Sequence, residues 1–177
     1  KIAHEAPIEI FATVQRMTDY DYALVHLFES NMIYYRQFKD AVINGREVIL
    51  DNSIFELGTA FNGDLYRSWI EKLNPTWYII PDVLEDTLGT LRSMDKWFAK
   101  QNVPSHIKSI GVVQGKTYKD IVECYKDIVT RVDKVAISFD YSYYVESTQD
   151  LKPINKYAAW MLGRQKLIND LLNDGII

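Results

Sequence analysis

The sequence predicts an α/β fold built on a parallel sheet. Short, continuously apolar runs recur at the spacing of a strand, a helix and two loops, roughly 30 residues: Val48-Ile49-Leu50, Trp77-Tyr78-Ile79-Ile80, Ile110-Gly111-Val112-Val113 and Val135-Ala136-Ile137. Unbroken apolar runs suit strands buried on both faces, as parallel strands are. Each run ends in a polar cluster, and segments with helical spacing lie between them. Strict alternation leaves two architectures, an open doubly wound sheet or a closed eight-fold barrel. In both, functional groups collect at the C-terminal ends of the strands.

Taken in order, residues 8–14 and 22–28 read as two early strands, and residues 31–43 as a helix stopped by Asn44-Gly45. The helix over residues 64–73 places Leu65, Trp69, Ile70 and Leu73 on one face. Residues 87–100 do the same with Leu88, Leu91, Met94, Trp97 and Phe98, after Glu85-Asp86 as a capping signal. Residues 118–128 follow with Ile121, Val122, Tyr125 and Ile128. Residues 154–173 read as a last helix or helix pair, Asp174-Gly175 as its stop, and Ile176-Ile177 as the start of another strand.

At 177 residues the chain is expected to be a single domain, residues 1–177. With 47% hydrophobic and 25% charged residues it is neither disordered nor fibrous. Lone Cys124 excludes an internal disulfide, and His4, His26 and His106 are too scattered for a zinc site, so no metal and no cofactor are expected. No apolar run approaches the roughly 20 residues that span a bilayer, and no leader pattern opens the chain. A cytoplasmic protein without membrane partners is expected. The net charge of 20 − 24 = −4 argues against a broadly basic surface, although a local basic stripe is compatible with it. The chain begins at Lys1 rather than Met, which marks it as a possible fragment.

Four strand-end clusters carry the candidate chemistry: residues 51–56 (DNSIFE), 81–86 (PDVLED), 114–117 (QGKT) and 138–144 (SFDYSYY). Asp51, Asp82 and Gln114 each follow an apolar run directly and would converge on one mouth of the sheet. One such residue is as readily a helix cap as a ligand group; three on one face favour a polar ligand site. Gly111-Val112-Val113-Gln114-Gly115-Lys116-Thr117 imitates a phosphate-binding P-loop, but that motif needs four residues before its Gly-Lys pair and this segment has three. ATP or GTP binding is therefore not expected. Gly115 would instead let the backbone approach a flat ligand closely, and Lys116 would meet a phosphate or be solvated. Tyr141, Tyr143 and Tyr144 either stack on a base or cover a sheet edge. Cys124 lies on the Ile121/Ile128 helix face and reads as packing.

In this order, the clusters resemble the tRNA-guanine transglycosylase family. Ile110-Gly111-Val112-Val113-Gln114-Gly115 is similar to that family's FGIVQGG strand end. Residues 51–56 resemble its DSGGFQ segment without the glycines, Asp82 its DE strand end, and Val135-Ala136-Ile137-Ser138 its YAIGG. The resemblance runs from about residue 47 to residue 140 and implies a parallel (βα) barrel, TIM-barrel-like, that exchanges guanine in nucleic acid for a 7-deazaguanine. Against a barrel of about 250 residues, this chain would be incomplete by roughly two βα units.

By the same resemblance, Asp51 takes the general acid/base position, Phe55 stacks on the base, and Asp82 and Gln114 hydrogen-bond its edge. Gly115 and the backbone at Ser138 complete the pocket, and Ser53 and Asp140 are counted with the base-binding residues. The family's nucleophilic aspartate and its Cys/His zinc site have no counterpart here. That departure points to DNA-modifying relatives of phages and bacteria, hence to DNA rather than tRNA as partner and to a host cytoplasm. A homo- or hetero-oligomer is compatible with the pattern. Two rivals stand beside this reading. One is a catalytically silent partner subunit that binds the base. The other is an unrelated small-molecule barrel enzyme, against which counts the lack of a strand-end lysine other than Lys116 for Schiff-base chemistry.

Overall fold

The computed structural model describes residues 4–177. Five strands, β1 (Tyr20–Leu24), β2 (Glu47–Asp51), β3 (Trp77–Ile79), β4 (Lys108–Val113) and β5 (Lys134–Ile137), form one sheet in the order β1-β2-β3-β4-β5. Every pair is parallel. A doubly wound sheet reverses its strand order at a switch point; this one steps the same way at every crossover, with β1 and β5 as open edges.

One-way winding with crossovers of one hand puts the connecting helices on one face of the sheet, and the core is divided accordingly. On one face Val48, Leu50, Tyr78, Ile80 and Val113 join the helices in a large core; on the other, Ile49, Trp77, Ile79 and Ile110 form a small cluster with Tyr20, Tyr22, Val112 and Ala136. The second cluster contains no helical residue.

The helices are α1 (Phe11–Met17), α2 (Val25–Ser30), α3 (Met32–Ile43), α4 (Ile54–Leu57), α5 (Gly63–Leu73), α6 (Thr87–Lys100), α7 (Tyr118–Ile128), α8 (Ser142–Glu146) and α9 (Lys156–Asn173). The cap expected at Asp86 stands before α6, and the structure adds Asn31 before α3 and a reciprocal Thr117/Asp120 capping box before α7. No helix among the described residues is long and apolar enough to cross a membrane.

Several expectations change. Residues 8–14 are not a strand: Ile8–Ile10 is a 3-10 turn and α1 follows. Phe11 is the one buried residue of α1, and its ring meets Phe38 edge-on at 4.8 Å. The apolar run over 22–28 splits, because β1 ends at Leu24 and Val25 and Phe28, three apart, become the buried side of α2. On α5 the buried position is Tyr66, not Leu65; the Tyr66 hydroxyl lies 2.9 Å from Leu50 O and 2.8 Å from Ile79 O, beneath the ends of β2 and β3. Leu88 and Phe98 of α6 are exposed, and Thr90 is buried in their stead. After β5 the chain forms α8 and then a single helix, α9, and Ile176-Ile177 adds no strand.

Candidate functional site

The helix-free face of the sheet is the floor of a cleft of about 580 Å³ that opens at the C-terminal ends of β2–β5. Ile49, Ile79, Ile110, Val112 and Ala136 line its bottom; Tyr22, Asp51, Asn52, Asp82, Gln114 and Ser138 supply polar groups; Phe55, Glu5 and Glu56 stand around them. Among the described residues Lys134 is the only cation in the lining, and its ammonium lies 3.8 Å from the Trp77 ring centre. Among the described lining residues four carboxyls, of Glu5, Asp51, Glu56 and Asp82, face that one ammonium, so the cleft is rich in hydrogen-bond acceptors.

Asp51 is the last residue of β2. Tyr22 sits one strand away with its ring on the same face, and its hydroxyl donates to Asp51 Oδ2. The other oxygen, Oδ1, accepts from the Ser53 N–H at 2.5 Å. Ser53 itself sits in a left-handed conformation at φ 60°, a strained geometry for a non-glycine residue. Burial pushes Asp51 up to about 7, assisted by the charges of Asp82 and Glu56 and opposed by the Tyr22 and Ser53 bonds, which favour the carboxylate. Burial and the adjoining carboxylate raise Tyr22 far above an ordinary phenol, so it remains a donor.

Asp82 and Gln114 form a second, deeper group. Asp82 Oδ1 accepts from Asn52 Nδ2 at 2.7 Å and its Oδ2 from Gln114 Nε2 at 2.6 Å. Gln114 Oε1 in turn accepts from the N–H of Glu85, the second strained residue of the mouth at φ 53°. Burial raises Asp82 above the usual carboxylate range, against the two amide donors. At the rim, burial and the neighbouring Glu56 carboxylate, with which it shares a hydrogen bond, push Glu5 up to about 7.

The structure therefore brings Asp51, Phe55, Asp82, Gln114 and Ser138 to one cleft. Phe55 is 54% exposed there, a free aromatic face at the mouth. Asp140 lies apart, in a smaller adjoining cavity of about 250 Å³ shared with Phe55, Leu84, Glu85 and Gln114. Ser138 lines the cleft, but its N–H donates to the Tyr141 hydroxyl at 2.9 Å. Ser53 is fully buried and acts through Asp51 and through its Oγ, which accepts from His26 N–H at 3.3 Å.

Gly115 is not among the residues that line the cleft; it packs against the start of α7. A Cβ there would lie 2.8 Å from Asp120 Cβ and 2.9 Å from Ile121 N, so its lack of a side chain lets β4 turn tightly onto α7. The P-loop-like segment is likewise a strand end and a helix cap, with Gly111 inside β4 and Lys116 exposed. Tyr141 and Tyr144 are core residues, not stacking platforms: Tyr141 donates to Val113 O, and Tyr144 to Ser138 O at 3.1 Å. Cys124 is buried, pushed up to about 11 by that burial, and accepts from Gln114 N–H at 3.3 Å.

Sequence reasoning passed over Tyr22, Glu5 and Lys134, and left Asn52 and Glu56 as unassigned members of a cluster. Only Tyr22 carried a signal, a phenol opening the mostly apolar run over 22–28. Among the described residues no group of His, Cys, Asp and Glu is placed to hold a metal ion. No family model matches the chain, and no curated protein matches it.

Proposed function

We propose that the protein exchanges a guanine in nucleic acid, DNA in preference to tRNA, for a 7-deazaguanine bound in this cleft. The observation that carries the reading is Asp51, a carboxyl fixed on both oxygens at the strand mouth and titrating near neutrality. Base exchange breaks the bond between the sugar C1′ and the guanine ring nitrogen and forms the same bond to the incoming base. The departing base gains a proton and the incoming base loses one. A carboxyl with a pKa of about 7 serves both transfers, since general acid–base catalysis works best with a group titrating near the operating pH. Phe55 offers a stacking face, and Asp82 and Gln114 offer polar atoms in the plane of a base. One-way winding of five strands is the pattern of consecutive units in a (βα) barrel, and such a scaffold belongs to this proposal.

A second reading, a base-binding partner subunit that leaves the covalent step to another chain, has one observation in its favour. Asp51 and Asp82 accept hydrogen bonds on both oxygens, and Glu5 and Glu56 are bonded to each other, so none of these four is a free nucleophile.

Incorporation of labelled guanine into DNA duplex and into tRNA tests both readings. Exchange is expected in the wild-type protein, with a loss of about 10²–10⁴-fold in Asp51→Asn, the usual range for a general acid–base group. Base binding without incorporation selects the partner-subunit reading. No binding of guanine or a 7-deazaguanine in the cleft removes both.

A further inference from the structure

We propose that one exposed face of α9, together with Phe139 from the loop after β5, holds the unpaired stretch of nucleic acid that carries a base into the cleft. This rests on the base-exchange function proposed above and adds the surface along which the strand runs.

α9 carries two stripes. Ala159, Gly163, Leu167 and Leu171 recur every fourth residue and are buried. Tyr157, Trp160 and Arg164 follow the i, i+3, i+7 spacing of a second face, and this one stays at the surface: Tyr157 is 58% exposed and Trp160 only half-buried. Phe139, 56% exposed, joins it from the end of β5. The three rings form a chain of edge-to-face contacts, Phe139 on Trp160 at 5.4 Å and Tyr157 on Trp160 at 5.5 Å. At these exposures Phe139 and Tyr157 keep ring surface open to solvent, and an unpaired base of any kind stacks on such a ring. A duplex keeps its bases stacked on one another, so it would meet the charges of this face but not the rings.

Two cations lie over the same rings. The Arg164 guanidinium is 4.8 Å from the Phe139 ring centre, and the Lys156 ammonium is 5.1 Å from that of Tyr157 and 5.3 Å from that of Trp160. Arg164 donates to Phe139 O at 2.5 Å, which uses one of its five N–H donors and ties the loop to the helix. Among the described residues neither cation forms a salt bridge, although Lys156 is near enough to Asp140 to favour its carboxylate. Charge then fixes the path of the strand. Asp51 and Asp82 lie at the ends of β2 and β3, with Glu56 in α4 just after β2 and Glu5 bonded to it, so that side of the mouth repels phosphate. Phe139 lines the cleft on the opposite, β5 side. A strand that delivers a flipped base to Asp51 keeps its phosphates from the carboxylates by running past Arg164 and Lys156, with its neighbouring bases on the rings. Rings interleaved with cations are how single-stranded nucleic acid is held.

Fluorescence anisotropy tests the inference, with a labelled single strand of about 12 nucleotides, thymidines around one central guanine, and with the same sequence as a duplex. The wild-type chain is expected to prefer the single strand. Phe139→Ala and Trp160→Ala are each expected to weaken strand binding about tenfold, the scale of one lost base–ring stack. Lys156→Gln and Arg164→Gln are each expected to lower the slope of log affinity against log salt by about 0.7, one counterion fewer released from a single strand. If Trp160→Ala does not fold, Tyr157→Ala at the exposed end of the stripe carries the same expectation. Strand affinity and salt slope unchanged across the variants overturn the inference while leaving the function standing. A duplex bound more tightly than the strand also overturns it. So does a loss of binding that follows a change of oligomeric state by light scattering, which would make this face a contact between protein chains. A wild-type protein that binds neither nucleic acid overturns the function itself and the inference with it.

Discussion

Leu50 and Asp51 are consecutive residues of β2, yet they face different surroundings. Leu50 points to the helix-covered side, where it is fully buried; Asp51 points to the helix-free side and the cleft. The same division runs through β3 and β4. Tyr78 and Val113 belong to the large core, whereas Ile79, Ile110 and Val112 form the cleft floor. The difference teaches that stability and chemistry are assigned to opposite faces of one sheet. Period-two alternation along a strand separates them.

The sharpest way to break this comparison is to truncate one side chain on each face. Leu50→Ala removes a side chain that helices enclose and is expected to cost about 2–5 kcal/mol, while Val112→Ala on the cleft floor is expected to cost about 1 kcal/mol or less. Equal costs by urea denaturation would show that the faces do not differ as described.

A pH series sharpens it next. Asp51 titrates at about 7 in the folded protein against 3.8 ordinarily, so between those values the folded state holds a proton that the unfolded chain has released. Its contribution is therefore lost progressively as pH rises from about 4 to about 7 and is constant above that. Glu5, raised to about 7 from 4.5, adds in the same direction. Asp51→Asn is expected to flatten this slope and to be more stable than wild type above pH 7. An unchanged slope by thermal denaturation would place the titrating group elsewhere.

Tyr22→Phe follows in size. Without the phenol donor the charged form of Asp51 loses a hydrogen bond, so its pKa is expected to rise by about one unit. The acid limb of the exchange pH profile should move with it. The smallest effect is expected at Leu65→Ala: at 46% exposed, its loss should change stability by no more than about 0.5 kcal/mol. A larger cost there would restore the helix face read from sequence.

Much of the fold was legible because its signals are local. The runs at 48–50, 77–80, 110–113 and 135–137 became β2 to β5, and Asp86 became a cap because a side-chain oxygen beside free helix N–H groups has one obvious use. The run at 8–14 was misread for the complementary reason. A short apolar run has no inherent period, and whether it becomes helix or strand depends on what lies beside it, here Phe38. Leu65 and Tyr66 were exchanged because hydrophobicity ranks leucine first, whereas a buried phenol that reaches two strand carbonyls satisfies more groups.

The site divides in the same way. Convergence of Asp51, Asp82 and Gln114 was written in the sequence, since parallel strands in alternation with helices deliver their C-terminal ends to one side. What each does there was not. The Tyr22 hydroxyl on Asp51, the Glu85 N–H on Gln114 and the Asn52–Asp82–Gln114 network join residues 29, 30 and 32 positions apart in the chain. Composition and period determined an α/β chain with a parallel sheet and polar strand ends. Only the tertiary structure decided the strand order, the bare face and the protonation of Asp51, because each depends on which distant segments exclude water from which carboxyl.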